Sequence, residues 1–102
     1  MSSNITIEAK RGKERITFPV IQTSGEDTKY IIDNGDYYGN APNPTQAIER
    51  YKERYMFWHG NTNKKNYYYK RDNADAKRHC NELDNWVKQH RAKCYNIVVY
   101  GD

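Results

Sequence analysis

An α+β fold is predicted for this chain, with a mainly antiparallel sheet of four to five strands and two helices packed on one face, in the order ββββααβ. Three features carry that expectation. Stretches with strand character gather in the first forty positions, two long segments with helical periodicity follow, and a β-branched stretch closes the chain. At 102 residues one hydrophobic core is ordinary and a second would be too small, so residues 1–102 are expected to form a single domain.

The first strand is expected at residues 5–10, where Ile5, Ile7 and Ala9 alternate with Thr6, Glu8 and Lys10. A turn centred on Gly12 then leads to a second strand over 15–23, with Ile16, Phe18 and Val20 on one face. Pro19 lacks a ladder donor and places that strand at an edge or a bulge. The strongest local signal is Asn34-Gly35, which reads as a two-residue type I′ hairpin turn. Its register sets Asp33 opposite Asp36, Ile32 opposite Tyr37 and Ile31 opposite Tyr38.

Asn43, Pro44 and Gln46 form an N-cap, a first-turn proline and a capping-box partner, so a helix is expected to begin there. Ile48, Tyr51, Tyr55 and Trp58 make its apolar stripe, Arg50, Lys52, Glu53 and Arg54 lie opposite, and Gly60 ends it. Residues 61–72 read as a loop or a short strand. A second helix follows over 73–93, capped by Asn73, with Ala76, Cys80, Leu83 and Val87 on one face and Trp86 widening it. Residues 94–101 form a final strand, apolar on both sides at Ile97, Val98 and Val99 and suited to the sheet interior.

Ten Tyr, two Trp and two Phe exclude a disordered chain, because such rings bury large areas. The first ten residues lack a signal-peptide stretch and no 18-residue apolar run occurs, so a cytoplasmic protein that avoids the membrane is expected. Cys80 and Cys94 are too far apart for a redox pair and are expected to be reduced thiols. His79, Cys80, His90 and Cys94 lack the spacing of a structural zinc site, and neither thiol sits in an activating context, so no metal, cofactor or catalytic residue is assigned.

Charge is uneven along the chain. The formal net charge is +4, of which residues 1–40 contribute −1 and residues 41–102 contribute +5. From Arg50 to Arg71 there are seven cations and one anion, Glu53. Within that stretch, "NKKNYYYKRD" sets Tyr67, Tyr68 and Tyr69 between Lys64, Lys65, Lys70 and Arg71. As a strand it would send Tyr67 and Tyr69 to one face and Tyr68 to the other. Cations beside rings suit an anionic partner, either an acidic protein surface or a nucleic acid.

Residues 18–53 resemble the antitoxin half of small toxin–antitoxin pairs, in which two strands lead through a Gly turn into a capped helix opening on a pattern such as "TQAIE". The resemblance covers about a third of the chain. The Pro-Asp-Leu-Pro-Gly segment of such proteins is absent, and no functional residue is carried across.

The sequence therefore points to a small non-enzymatic binding protein, with the Asn/Lys/Tyr-rich composition of a phage or mobile-element accessory protein. It is expected to inhibit a host protein or protein–nucleic-acid complex, such as an immune effector in the manner of an anti-CRISPR inhibitor. Arg50, Arg54, Lys64, Lys65, Lys70 and Arg71 would supply charge and Tyr67, Tyr68 and Tyr69 the anchoring rings. Direct binding of RNA or single-stranded DNA is the alternative, and a small enzyme with an unrecognised site the second alternative. The Pro19 edge leaves a homodimer open.

Overall fold

The computed structural model describes residues 4–36 and 38–102. Its elements run β1 (Ile5–Arg11), β2 (Glu14–Phe18), α1 (Gly25–Ile32), β3 (Gly39–Asn40), α2 (Pro44–His59), α3 (Tyr69–Ala92) and β4 (Asn96–Gly101). The fold is α+β, with four antiparallel strands in one sheet of order β2-β1-β4-β3 and three helices.

Alternation explains the sheet. Ile7 pairs with Phe18 on one side and Val99 on the other, and Ala9 pairs with Ile16 and Ile97, so these side chains share a face. Ile5, Ile7, Ala9, Phe18, Ile97 and Val99 join Ile31, Ile32, Ala47, Ile48, Tyr51, Leu83 and Val87 in one buried cluster. Gly12, at φ 61°, makes the tight turn between β1 and β2. β4 takes the interior place between β1 and β3. β2 is an edge strand and stops at Phe18, before Pro19, rather than running to residue 23.

The expected hairpin over residues 31–38 does not form. Ser24 caps α1 by accepting from the Asp27 amide at 3.1 Å, and Glu26 and Asp27 fill the first turn, where the helix dipole favours carboxylates. Ile31 and Ile32 are both buried, which adjacent positions on a strand facing one core would not allow. The positive φ anticipated at the turn serves the helix exit instead. Asp33 is left-handed (φ 55°) with its amide bonded to the Lys29 carbonyl, Gly35 has φ 87°, and the Asn34 Oδ1 accepts from the Asp36 amide at 2.8 Å. Asp33 pairs with Arg50 at 3.4 Å rather than facing Asp36. The expected Tyr37 pairing lies outside the described residues. The order is consequently ββαβααβ, not ββββααβ.

α2 starts as its sequence dictates, with Asn43 Oδ1 accepting from the Gln46 amide at 3.0 Å. Gly60 ends it at an ordinary negative φ. Its need for glycine is steric, because a Cβ there would lie 2.5 Å from the Met56 carbonyl oxygen and 2.9 Å from Asn73 Oδ1. α3 begins at Tyr69, a full turn before the expected Asn73, and no side chain caps it. Its buried face is Ala76, Cys80, Leu83 and Val87. With no buried residue before Ala76, the first two turns of this helix, roughly 36 Å long at 1.5 Å per residue, overhang the core. Cys80 is buried and Cys94 exposed, both as free thiols, and burial pushes the Cys80 thiol up. Among the described residues no helix is long and apolar enough to cross a membrane.

Candidate functional site

The overhang is built by the end of α2, the start of α3 and the connection between them. Three asparagines shape that connection. Asn61 Oδ1 accepts from the Asn63 amide, Asn63 Oδ1 from the Lys65 amide and Asn66 Oδ1 from the Tyr68 amide, at 3.0, 3.1 and 2.8 Å. Each is an Asx turn, and together they coil residues 61–68, so of the expected loop or short strand over 61–72 it is the loop that forms, up to the start of α3 at Tyr69. Asn73 ties the loop to α3 by accepting from the Asn61 amide (3.1 Å) and donating to the Asn61 and Tyr69 carbonyls (2.8 and 3.0 Å).

The tyrosine run therefore does not alternate across a sheet. Tyr67 is 91% exposed and Tyr68 47%, their rings edge-to-face at 4.9 Å, while Tyr69 is half-buried in the first turn of α3. Arg71 lies over the Tyr68 ring at 4.1 Å and pairs with Asp72 at 3.3 Å. Lys64, Lys65 and Lys70 are exposed, and among the described residues none of them is in an ion pair with a carboxylate.

The two arginines of α2 are placed differently. Arg50 donates to the Tyr30 carbonyl at 2.7 Å and sits over the Tyr30 ring, so it fastens α2 to α1 and stands apart from the loop. Arg54 Nε donates to Asp27 at 2.8 Å, and its guanidinium lies over Phe57 at 4.5 Å. Asp27 is buried, and its second oxygen accepts from the Trp58 indole at 2.6 Å. Trp58 belongs to the expected apolar stripe, yet its ring is 60% exposed because the helix has passed the edge of the core; Phe57 beside it is 61% exposed. No charge pattern in the sequence marks these two rings. Their signal is position, at the last turn before Gly60.

Between the helix ends lies a cleft of about 860 Å³. Met56 and Phe57 line it from α2 and Tyr69, Lys70, Ala74 and Lys77 from α3, with Arg54 also on its wall. Of the sequence-predicted residues it thus gathers Arg54, Tyr69 and Lys70. Comparison with protein families, with curated proteins and with solved structures returned no match.

Behind the overhang, Tyr55 is stacked between two imidazoles, with ring centroids 4.0 Å from His79 and 4.5 Å from His59. The Tyr51 hydroxyl is 2.9 Å from His79 Nε2, and burial holds the His79 imidazole below its ordinary value. In the neutral Nδ1–H tautomer Nε2 is the acceptor and the Tyr51 hydroxyl the donor. Burial likewise pushes the Tyr51 phenol far up, so it keeps its proton. Among the described residues no group of three or more His, Cys, Asp or Glu could hold a metal ion.

Proposed function

We propose that this chain is a small non-enzymatic binding protein of the phage or mobile-element accessory kind, which inhibits a host protein or protein–nucleic-acid complex. With the helices laid over one face of the sheet, the end of the α2–α3 hairpin is presented to an acidic partner. One observation carries the reading: Tyr67 and Tyr68 are exposed in the segment that carries Lys64, Lys65 and Lys70, and exposed Phe57 lines a cleft with Lys70 and Lys77, lysines that no carboxylate of the described residues neutralises. Exposed rings of this size cost free energy unless a partner covers them, and rings with cations are the residues that anchor protein interfaces. The Asn/Lys/Tyr-rich composition, with a single leucine, supports an accessory protein from a mobile genome.

A second reading, binding of RNA or single-stranded DNA, draws on the nearly free Tyr67 ring, on which a base could stack. One pair of measurements separates them. Capture from nuclease-treated bacterial lysate should recover one stoichiometric protein partner, lost when Lys64, Lys65, Lys70 and Arg71 are changed to Glu. Retardation of labelled RNA or single-stranded DNA by the protein alone, steeply weakened by salt, would instead establish the second reading.

A further inference from the structure

Resting on the reading that the α2–α3 end docks a protein, we propose that the cleft receives a short peptide segment of the partner. That segment carries one large apolar side chain with a carboxylate two residues to either side of it.

The floor of the cleft is apolar. Met56, Phe57 and Ala74 line it, and Phe57 is held in place by the Arg54 guanidinium over its ring, itself anchored on Asp27. About 860 Å³ lies within the range of cavities that bury a compact ligand. A sugar–phosphate backbone offers nothing apolar to fill such a floor, whereas a Leu or Phe side chain does.

The cleft's charged lining is mainly cationic, with Lys70 and Lys77 set against one carboxylate, Glu53, and Arg54 taken by Asp27. Lys70 and Lys77 are seven residues apart on α3, hence about 10.5 Å along the helix axis. An extended peptide advances about 3.3 Å per residue with alternate side chains on one face, so carboxylates two residues to either side of the apolar residue share its face and stand about 13 Å apart, within reach of the two flexible lysine side chains. The neighbouring acids are turned to other partners. Glu53 accepts from the Tyr30 hydroxyl at 3.2 Å, Asp72 accepts from Asn61 Nδ2 at 3.2 Å and pairs with Arg71, and Asp75 pairs with Arg78 at 3.2 Å. Neither Lys70 nor Lys77 is in an ion pair among the described residues. The cleft is also preorganised, since Asn73 fixes its loop end through Asn61 and thereby lowers the entropy lost on binding.

The test uses the full chain and a fluorescein-labelled peptide, Gly-Asp-Glu-Phe-Leu-Glu-Asp-Gly, read by anisotropy, with amide shifts locating the contact. Saturable binding is expected, shifting amides at 56, 57 and 69–77. It should weaken at least tenfold for the peptide with Asn and Gln in place of its acids, and equally for Ala74→Glu, which blocks and reverses the floor. Ala74 is exposed on α3, so an unchanged melting curve will show that this variant folds. Peptide binding indifferent to Ala74→Glu, or displaced by oligouridylate that itself shifts the cleft amides, overturns the proposal. If Ala74→Glu still captures the lysate partner at full yield, the cleft assignment falls while the docking reading stands. If wild-type protein captures no partner and binds no peptide, both fall.

Discussion

Asn73 holds the backbone of Asn61 as a neighbouring strand would, its Oδ1 accepting from the Asn61 amide at 3.1 Å and its Nδ2 donating to the Asn61 carbonyl at 2.8 Å. A single side chain thereby satisfies both polar groups of a loop residue that makes no backbone–backbone bond across the turn among the described residues. Asn73→Ala is expected to lose about 1–3 kcal/mol of stability, since two half-buried peptide groups lose their partners. Asn73→Asp, which keeps the acceptor and removes both donors, should fall between. Urea denaturation measures the loss, and accelerated hydrogen exchange at Asn61 would place it in the loop.

Gly60 stands against the same side chain. Gly60→Ala should cost about 1–3 kcal/mol although alanine is the better helix former, because its methyl would meet the Met56 carbonyl oxygen at 2.5 Å. Equal or higher stability in that variant would show that the helix end can shift to admit a Cβ.

Asp27 connects two elements, caught between the first turn of α1 and the Arg54 and Trp58 groups of α2. Asp27→Ala would leave Arg54 without its buried partner and free the indole, at a cost of about 1–3 kcal/mol. In a Trp86→Phe background the remaining Trp58 emission should shift to the red. An unmoved spectrum would mean the indole is held by its packing rather than by the carboxylate.

These relationships also show what the sequence could and could not disclose. α2 was legible because its cap, first-turn proline and apolar spacing agree, and the Ala76–Cys80–Leu83–Val87 face of α3 because four positions share one period. α1 was hidden behind Asn34-Gly35, whose positive-φ preference suits a hairpin and a helix exit equally. The competing signal was Ser24 followed by Asp27 three residues on, a cap that the hairpin reading passed over. At 66–70 the β-propensity of three tyrosines lost to Asn61, Asn63 and Asn66, whose side chains offer nearby amides a partner that a strand would not. Arg54 and Lys70 were legible as cations. That one anchors a ring and the other stands free depends on Asp27, which lies 43 positions before Lys70 and belongs to another element.

His79 gives the fold a pH dependence whose sign follows from its burial. Desolvation holds the folded imidazole below its ordinary value, Glu82 opposes this, and the charge of His59 adds to it. The unfolded chain therefore takes up the proton first, near pH 6.5. Stability should be full above that value and decline as pH falls toward the folded pKa, and a flat profile between pH 7.5 and about 5.5 would contradict it. In the Nδ1–H tautomer, in which Tyr51 donates to the neutral Nε2, Tyr51→Phe removes that donor, so the His79 ring protons should titrate at higher pH and the decline become shallower.

Eight of the nine cations and rings singled out in the sequence should divide into three groups when substituted. Arg50 contacts Tyr30 and Asp33, and Arg54 contacts Asp27 and Phe57, so Arg50→Ala and Arg54→Ala are expected to lower the melting temperature measurably. Lys64, Lys65, Lys70 and Tyr67 are exposed, and replacing each by Ala should stay within about 0.5 kcal/mol of wild type. Tyr68→Ala and Arg71→Ala lie between, since their contact at 4.1 Å is worth about 0.5–1 kcal/mol. Partner capture should follow the opposite ranking, failing for Tyr67→Ala and for the lysine reversals while melting stays unchanged. If instead capture is lost only in proportion to stability across all eight variants, the exposed rings do not form the docking surface.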